Sequence, residues 1–176
     1  MKLHLGCGKR NFGEDWVHVD LEEHPHVTWH DVTHLPYEDN SCDVLYSSHL
    51  LEYFDREEAA TVLKEWYRVL KKGGTLRVAV PDFEAICNLY KTGYSLDKFL
   101  GPLYGKMGEI PYIFHKTIYD LRSLTHTLKK AGFYDVRRYN WRSTEHADHD
   151  DHSQAYLPHM DKEHGTLVSL NLEANK

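Results

Sequence analysis

Five short apolar runs, each stopped by residues that end strands, set the tightest limit on what this chain can fold into. Leu3 to Leu5 stops at Gly6-Cys7-Gly8, Trp16 to Val19 at Asp20, and Val27 to Trp29 at His30-Asp31. Cys42 to Tyr46 and Thr75 to Val80 follow, the last stopped by Pro81. Runs of this length, bounded by Gly, Pro and Asp, read as buried strands. Between the fourth and fifth, Asp55 with Glu58 makes a capping-box start, and Ala59, Val62, Leu63, Trp66, Tyr67 and Leu70 share one helical face. Lys71-Lys72-Gly73-Gly74 then supplies cations and a glycine stop. Phe83, Ile86 and Tyr90 predict a shorter helix, and Leu121, Leu124, Leu128 and Ala131 another. Two late strands are predicted over Val136 to Trp141 and Thr166 to Leu172. This alternation predicts a single α/β domain over residues 1–176, with a mostly parallel sheet. Ligands in such sheets bind beyond the carboxyl ends of the strands.

Apolar residues make up 41% and charged residues 27%, which excludes a disordered chain, and no apolar run approaches the ~18 residues of a membrane span. Met1 to Leu5 leads straight into Gly6 and does not read as a signal peptide. Cys7, Cys42 and Cys87 are odd in number, so free thiols and a cytoplasmic setting are expected. A net charge of −6 opposes binding to a phosphate backbone, so neither nucleic acid nor membrane is an expected partner.

Gly6-Cys7-Gly8 alone is a tight turn. A dinucleotide fingerprint needs a further Gly at position 11, where Asn11 stands. The stronger signal is Asp20, twelve residues after Gly8. A carboxylate at a strand end has acceptor oxygens for both hydroxyls of a ribose. Asp31 could likewise accept an adenine amine, although either acid alone reads equally well as a turn or cap residue.

These blocks together resemble the class I S-adenosylmethionine-dependent methyltransferases, in particular the small type 11 methyltransferase domains. Leu3 to Gly8, Val17 to Asp20, Asp31 to Val44, Ser48 to Glu52 and Arg68 to Leu76 carry the resemblance in order and spacing. It implies a Rossmann-like, seven-stranded sheet with helices on both faces. It also implies a cofactor, S-adenosylmethionine, held by Gly6, Cys7, Gly8, Asp20, Leu21, Asp31, Val32 and Ser47 or its neighbours. The methyl acceptor is expected to be a small molecule, bound under a cap formed by residues 83–118. The aromatics Tyr90, Tyr94, Phe99, Tyr104, Tyr112, Phe114 and Tyr119 would line that acceptor pocket or form a satellite core. His49 is the first candidate for a catalytic base and His115 the second; the alternative for each is a hydrogen-bonded loop histidine. Two other functions stay open: a non-catalytic cofactor-binding pseudoenzyme, and a nicotinamide oxidoreductase. Asn11 argues against the second.

Three features depart from the pattern or add to it. Tyr53 stands where the family's His-x-Leu-Glu-His block ends in His. Only seven residues, Lys9 to Asp15, join the first two strands, so the first helix is expected to be reduced or absent. That link reads as too polar and too short to cover the apolar side chains of Leu3, Leu5, Val17 and Val19, which predicts a homodimer. Finally, five of the 14 histidines lie between Glu145 and Gly165, within a polar loop over 142–165. His146, His149 and His152 alternate with carboxylates but match neither an EF-hand nor a helical zinc motif. No metal is expected there, and these histidines are candidate acid–base or substrate contacts.

Overall fold

The computed structural model describes residues 1–108 and 111–176. Glu109 and Ile110, inside the expected cap, lie outside the described residues. The strands begin with β1 (Lys2–Leu5), β2 (Trp16–Val19), β3 (Val27–Trp29) and β4 (Cys42–Ser48). Helix α1 (Arg56–Val69) leads into β5 (Leu70–Pro81), then α2 (Phe83–Lys91), α3 (Leu100–Tyr104) and α4 (Leu121–Lys130). The chain closes with β6 (Tyr134–Arg138), the short pair β7 (Tyr156–Leu157) and β8 (Thr166–Leu167), and β9 (Ser169–Asn175).

Seven strands form one sheet in the order β3-β2-β1-β4-β5-β9-β6. β3 through β5 pair in parallel, and β9 runs antiparallel between β5 and β6. The strand order reverses beside β1, where β2 lies on one side and β4 on the other, which creates a crevice at their carboxyl ends. Asp55 and Glu58 make the expected capping box of α1. Among the described residues no helix is long and apolar enough to cross a membrane.

Strand alternation sorts the two faces of the sheet. Leu3, Leu5, Val19, Leu45, Leu76 and Leu172 join one core with Leu63 and Trp66 of α1 and Leu128 of α4. The four side chains expected to be bare are therefore covered by this chain's own helices: Leu3, Leu5 and Val19 are fully buried and Val17 packs against the same core. This removes the premise of the dimer argument. The opposite face carries His4, Trp16, His18 and Tyr46, with Phe12 and Tyr139 packed on it. The link does reach this face. It has no helix, yet Phe12 is 6% exposed and stacks between His4, at 4.0 Å, and His146, at 5.0 Å. The Phe12 N–H donates to His18 Nε2 at 2.9 Å, pinning the link to β2.

Candidate active site

The crevice is built from the turns that end β1, β2, β3 and β4. Gly6 and Gly8 have φ of +68° and +53°, values that favour glycine. A Cβ at Gly6 would also approach the Leu50 side chain to 3.0 Å. Asp20, 6% exposed, ties two of these turns together. Its Oδ2 accepts the Gly8 N–H at 2.7 Å and its Oδ1 accepts the Glu22 N–H at 2.8 Å. Each oxygen keeps a further lone pair, so ribose hydroxyls can still be received.

A hollow of about 300 Å³ opens beside these turns, lined by Gly6, Asp20, Leu21, His30, Asp31 and Val32. An extension of about 500 Å³ reaches Gly8, Lys9, Arg10, Ser48 and His49. Asp31 Oδ1 accepts from the Thr33 N–H and hydroxyl at 2.8 and 2.6 Å. Burial pushes the Asp31 carboxyl up, but those bonds outweigh it and hold it below the usual range. The combined space suits a nucleoside-sized ligand. The Ser48 hydroxyl is buried on its wall without a partner, an unspent polar group for the ligand's amino-acid end. The residues present therefore fit S-adenosylmethionine.

Two of the residues expected at the cofactor turn their side chains away from these hollows. The Cys7 side chain is fully buried, 3.8 Å from His26 Nε2, and burial pushes its thiol up to about 12. Cys7 is absent from the lining of these hollows. Ser47 shares the strand parity of Leu45, so its side chain goes into the fold, while Ser48 reaches the wall. His30, Lys9 and Arg10 are wall residues without a motif to announce them.

A second hollow of about 680 Å³ adjoins the first and is lined by His49, Tyr53, Tyr104, Phe114, His115 and His152, with Lys106 as its cation. His49 borders all three spaces and holds a left-handed φ of +52°, an unusual conformation for a residue with a Cβ. The structure thus brings both histidine candidates together. It adds Glu52, 1% exposed, whose Oε1 lies 3.6 Å from His49 Nδ1 and 3.8 Å from His115 Nε2. Burial pushes the Glu52 carboxyl up to about 8 and the His49 imidazole well below its ordinary value. His115 is also lowered, chiefly by burial.

The late histidines separate. His146 is buried against Tyr46, His149 stacks on Phe12, and only His152 reaches the hollows. Among the described residues no group of three His, Cys, Asp or Glu side chains is placed to hold a metal ion. The aromatics divide as well. Phe99 and Tyr94 pack with Ile86 and Val168 in a satellite core, Tyr119 joins the main core, and Tyr104 and Phe114 border the second hollow.

A family model described as a methyltransferase domain matches residues 7–78. No curated protein sequence matches the chain. Among solved structures, it is similar to a SAM-dependent methyltransferase from Archaeoglobus fulgidus, at 18% identity and TM-score 0.59, covering 99% of this chain and 85% of that one. It is also similar to a SAM-dependent methyltransferase from Methanosarcina mazei, at 16% identity and TM-score 0.59, covering 99% and 91%. A third is the 1,6-didemethyltoxoflavin-N1-methyltransferase of Burkholderia thailandensis, at 15% identity and TM-score 0.58, covering 99% and 70%. Residues 7–78 thus match a methyltransferase domain, the chain has the fold of solved S-adenosylmethionine-dependent methyltransferases, and the cofactor that this match and this fold support is S-adenosylmethionine.

Proposed function

We propose that the protein methylates a small molecule held in the 680 Å³ hollow beside His49, and that residues 83–118 form the cap over that acceptor. The observation that carries this reading is the meeting of two hollows at one residue: His49 borders both the cofactor space and the aromatic hollow. The contribution of Leu100, Pro102, Tyr104, Phe114 and His115 to the second hollow supports the cap. The volume supports a small acceptor in preference to a macromolecule. The similar 1,6-didemethyltoxoflavin-N1-methyltransferase, whose structure holds 1,6-didemethyltoxoflavin and S-adenosylhomocysteine, supports the same reading. Net charge −6 gives no support to a nucleic-acid acceptor.

S-adenosylmethionine supplies a methyl group already activated on a sulfonium. The chain's own residues then bind the cofactor and align the acceptor with it. Asp20 receives the ribose hydroxyls, Asp31 and Val32 bracket the adenine, and Gly6 and Gly8 let backbone approach the methionine part. Ser48, in place of Ser47, faces its amino-acid end with Lys9 and Arg10. Tyr53, Tyr104 and Phe114 seat the acceptor and displace water, so that alignment provides much of the rate.

Calorimetric titration with S-adenosylmethionine, S-adenosylhomocysteine and NAD tests the cofactor assignment; binding of the first two and not the third is expected. A labelled-methyl turnover screen against small hydroxyl and N–H compounds tests the acceptor. Cofactor binding without turnover on any small or protein acceptor would favour the non-catalytic reading, and binding of NAD alone would overturn both.

A further inference from the structure

We propose that Glu52 is a neutral carboxylic acid that fixes His49 and His115 as single uncharged tautomers, leaving His152 to receive the acceptor's proton. The role of His152 rests on the methyl-transfer reading; the state of Glu52 does not.

The direction of each hydrogen bond follows from atoms that can only donate or only accept. Asn171 Nδ2 donates to the Ser153 carbonyl at 2.8 Å, so Asn171 Oδ1 is an acceptor. Ser169 gives its one hydroxyl hydrogen to that oxygen at 2.9 Å; its other neighbour, the Val80 carbonyl, can also only accept. Ser169 Oγ must then accept from His49 Nε2, 3.0 Å away. In the neutral ring the lone pair sits on Nδ1, 3.6 Å from Glu52. On the other side, His115 Nδ1 donates to the Pro102 carbonyl at 3.1 Å, so its lone pair sits on Nε2, 3.8 Å from the same carboxyl.

Both Glu52 oxygens are buried, and among the described residues neither has a hydrogen-bond partner. A carboxylate there would face two lone pairs with no donor, at a cost of several kcal/mol. A neutral acid has one O–H to offer to either imidazole, and ~0.5 Å of closure makes the hydrogen bond. The ion-pair alternative places positive charge on His49 or His115 within a group of three imidazoles that burial already disfavours charging. The other titratable groups facing Glu52 are Tyr53 on its own turn and Tyr119 ahead of α4, both held protonated by burial. Burial raises Glu52 to about 8 against the smaller, opposing pull of its own backbone N–H, and no cation is among the causes that would lower it.

With His49 Nε2 and His115 Nδ1 donating to Ser169 and Pro102, and the remaining nitrogen of each ring turned to the buried Glu52 rather than to the hollow, His49 and His115 lose the role of base and become positioning residues with Glu52. His152 borders both the acceptor hollow and the cofactor extension, its ring 5.2 Å from His49. Its imidazole is lowered, first by burial and then by Arg10, so it is uncharged and ready to accept. Asp151 holds it in place: its carboxylate accepts the Ser153 N–H at 2.8 Å and the Tyr46 hydroxyl. In the transfer, the acceptor's O–H or N–H bond breaks and its electron pair forms the new bond to the methyl carbon. The carbon–sulfur bond breaks with its pair left on sulfur, and the proton ends on His152.

Infrared difference spectra of wild type against Glu52→Gln test the acid. A carboxylic-acid carbonyl band present at neutral pH and absent from the variant is expected. Its absence from folded wild type would overturn the proposal. Nitrogen NMR should show His49 protonated on Nε2 only and His115 on Nδ1 only, with both states kept in Glu52→Gln, whose amide N–H replaces the acid. An imidazolium at either ring would overturn it. Diethyl pyrocarbonate, which acylates uncharged imidazoles with an open nitrogen, should modify His152 ahead of His49 and His115. The reverse order would remove His152 as the base. None of these readouts needs an acceptor, and titration with S-adenosylmethionine on the same samples reports separately on the methyl-transfer reading.

Discussion

Asp20 spends one lone pair of each carboxylate oxygen on backbone N–H groups and keeps the others for a ligand. Its two jobs set up a substitution test. Asp20→Asn keeps one acceptor oxygen but loses charge, and charge-assisted bonds are worth ~1.5–3 kcal/mol each. S-adenosylmethionine affinity should fall at least ~10-fold by calorimetry, and the melting temperature should also drop, because the new amide nitrogen faces a backbone N–H that the second carboxylate oxygen had accepted. Cys7→Ser makes the opposite case. The thiol is absent from the lining of the cofactor hollows, so affinity should change little, although burying a hydroxyl beside His26 lowers stability. Motif resemblance placed both residues at the cofactor. Only their side-chain directions separate them.

At the scale of elements, the seven-residue link shows how a crossover can do without a helix. Phe12 fills the space between His4 and His146, and its N–H anchors the link on His18. Phe12→Ala should cost ~3–5 kcal/mol, read from denaturant midpoints, because the flanking rings cannot collapse onto one another. The late segment serves this packing at one end and the site at the other. Its every-third-residue histidines look like a ligand set in the sequence, but a loop without helical period sends them to different places.

For the whole molecule, buried histidines dominate the response to acid. His4, His18, His49, His115, His146 and His152 all lie below their ordinary 6.5, with burial the leading cause and His18 and His146 reaching about 4. As pH falls through this range the unfolded chain binds protons first, so stability is lost below 6.5. Glu52 has the opposite sign. Its folded value of about 8 against 4.5 means the unfolded chain ionises first as pH rises, and stability declines across that interval. Six groups outweigh one, so melting temperatures should drop steeply below pH 6.5 and decline gently toward pH 8. Glu52→Gln should abolish the gentle limb and leave the steep one. Because the chain's own helices cover Leu3, Leu5, Val17 and Val19, sedimentation at micromolar concentration should show a monomer.

The sequence by itself determined the strands, the capped helix α1, the α/β class and the positions of Gly6, Gly8, Asp20 and Asp31. Those features depend on local period, turn chemistry and spacing, which the chain carries residue by residue. Tertiary structure decided what covers each face of the sheet, that Ser48 and not Ser47 lines the hollow at the strand ends, and that His152 joins His49 and His115. These depend on contacts between segments far apart in the chain, as when residue 152 meets residue 49. The state of Glu52 belongs to this second class. A carboxyl two residues after Leu50 looks ordinary until burial strips it of water and donors and leaves it facing two imidazole lone pairs.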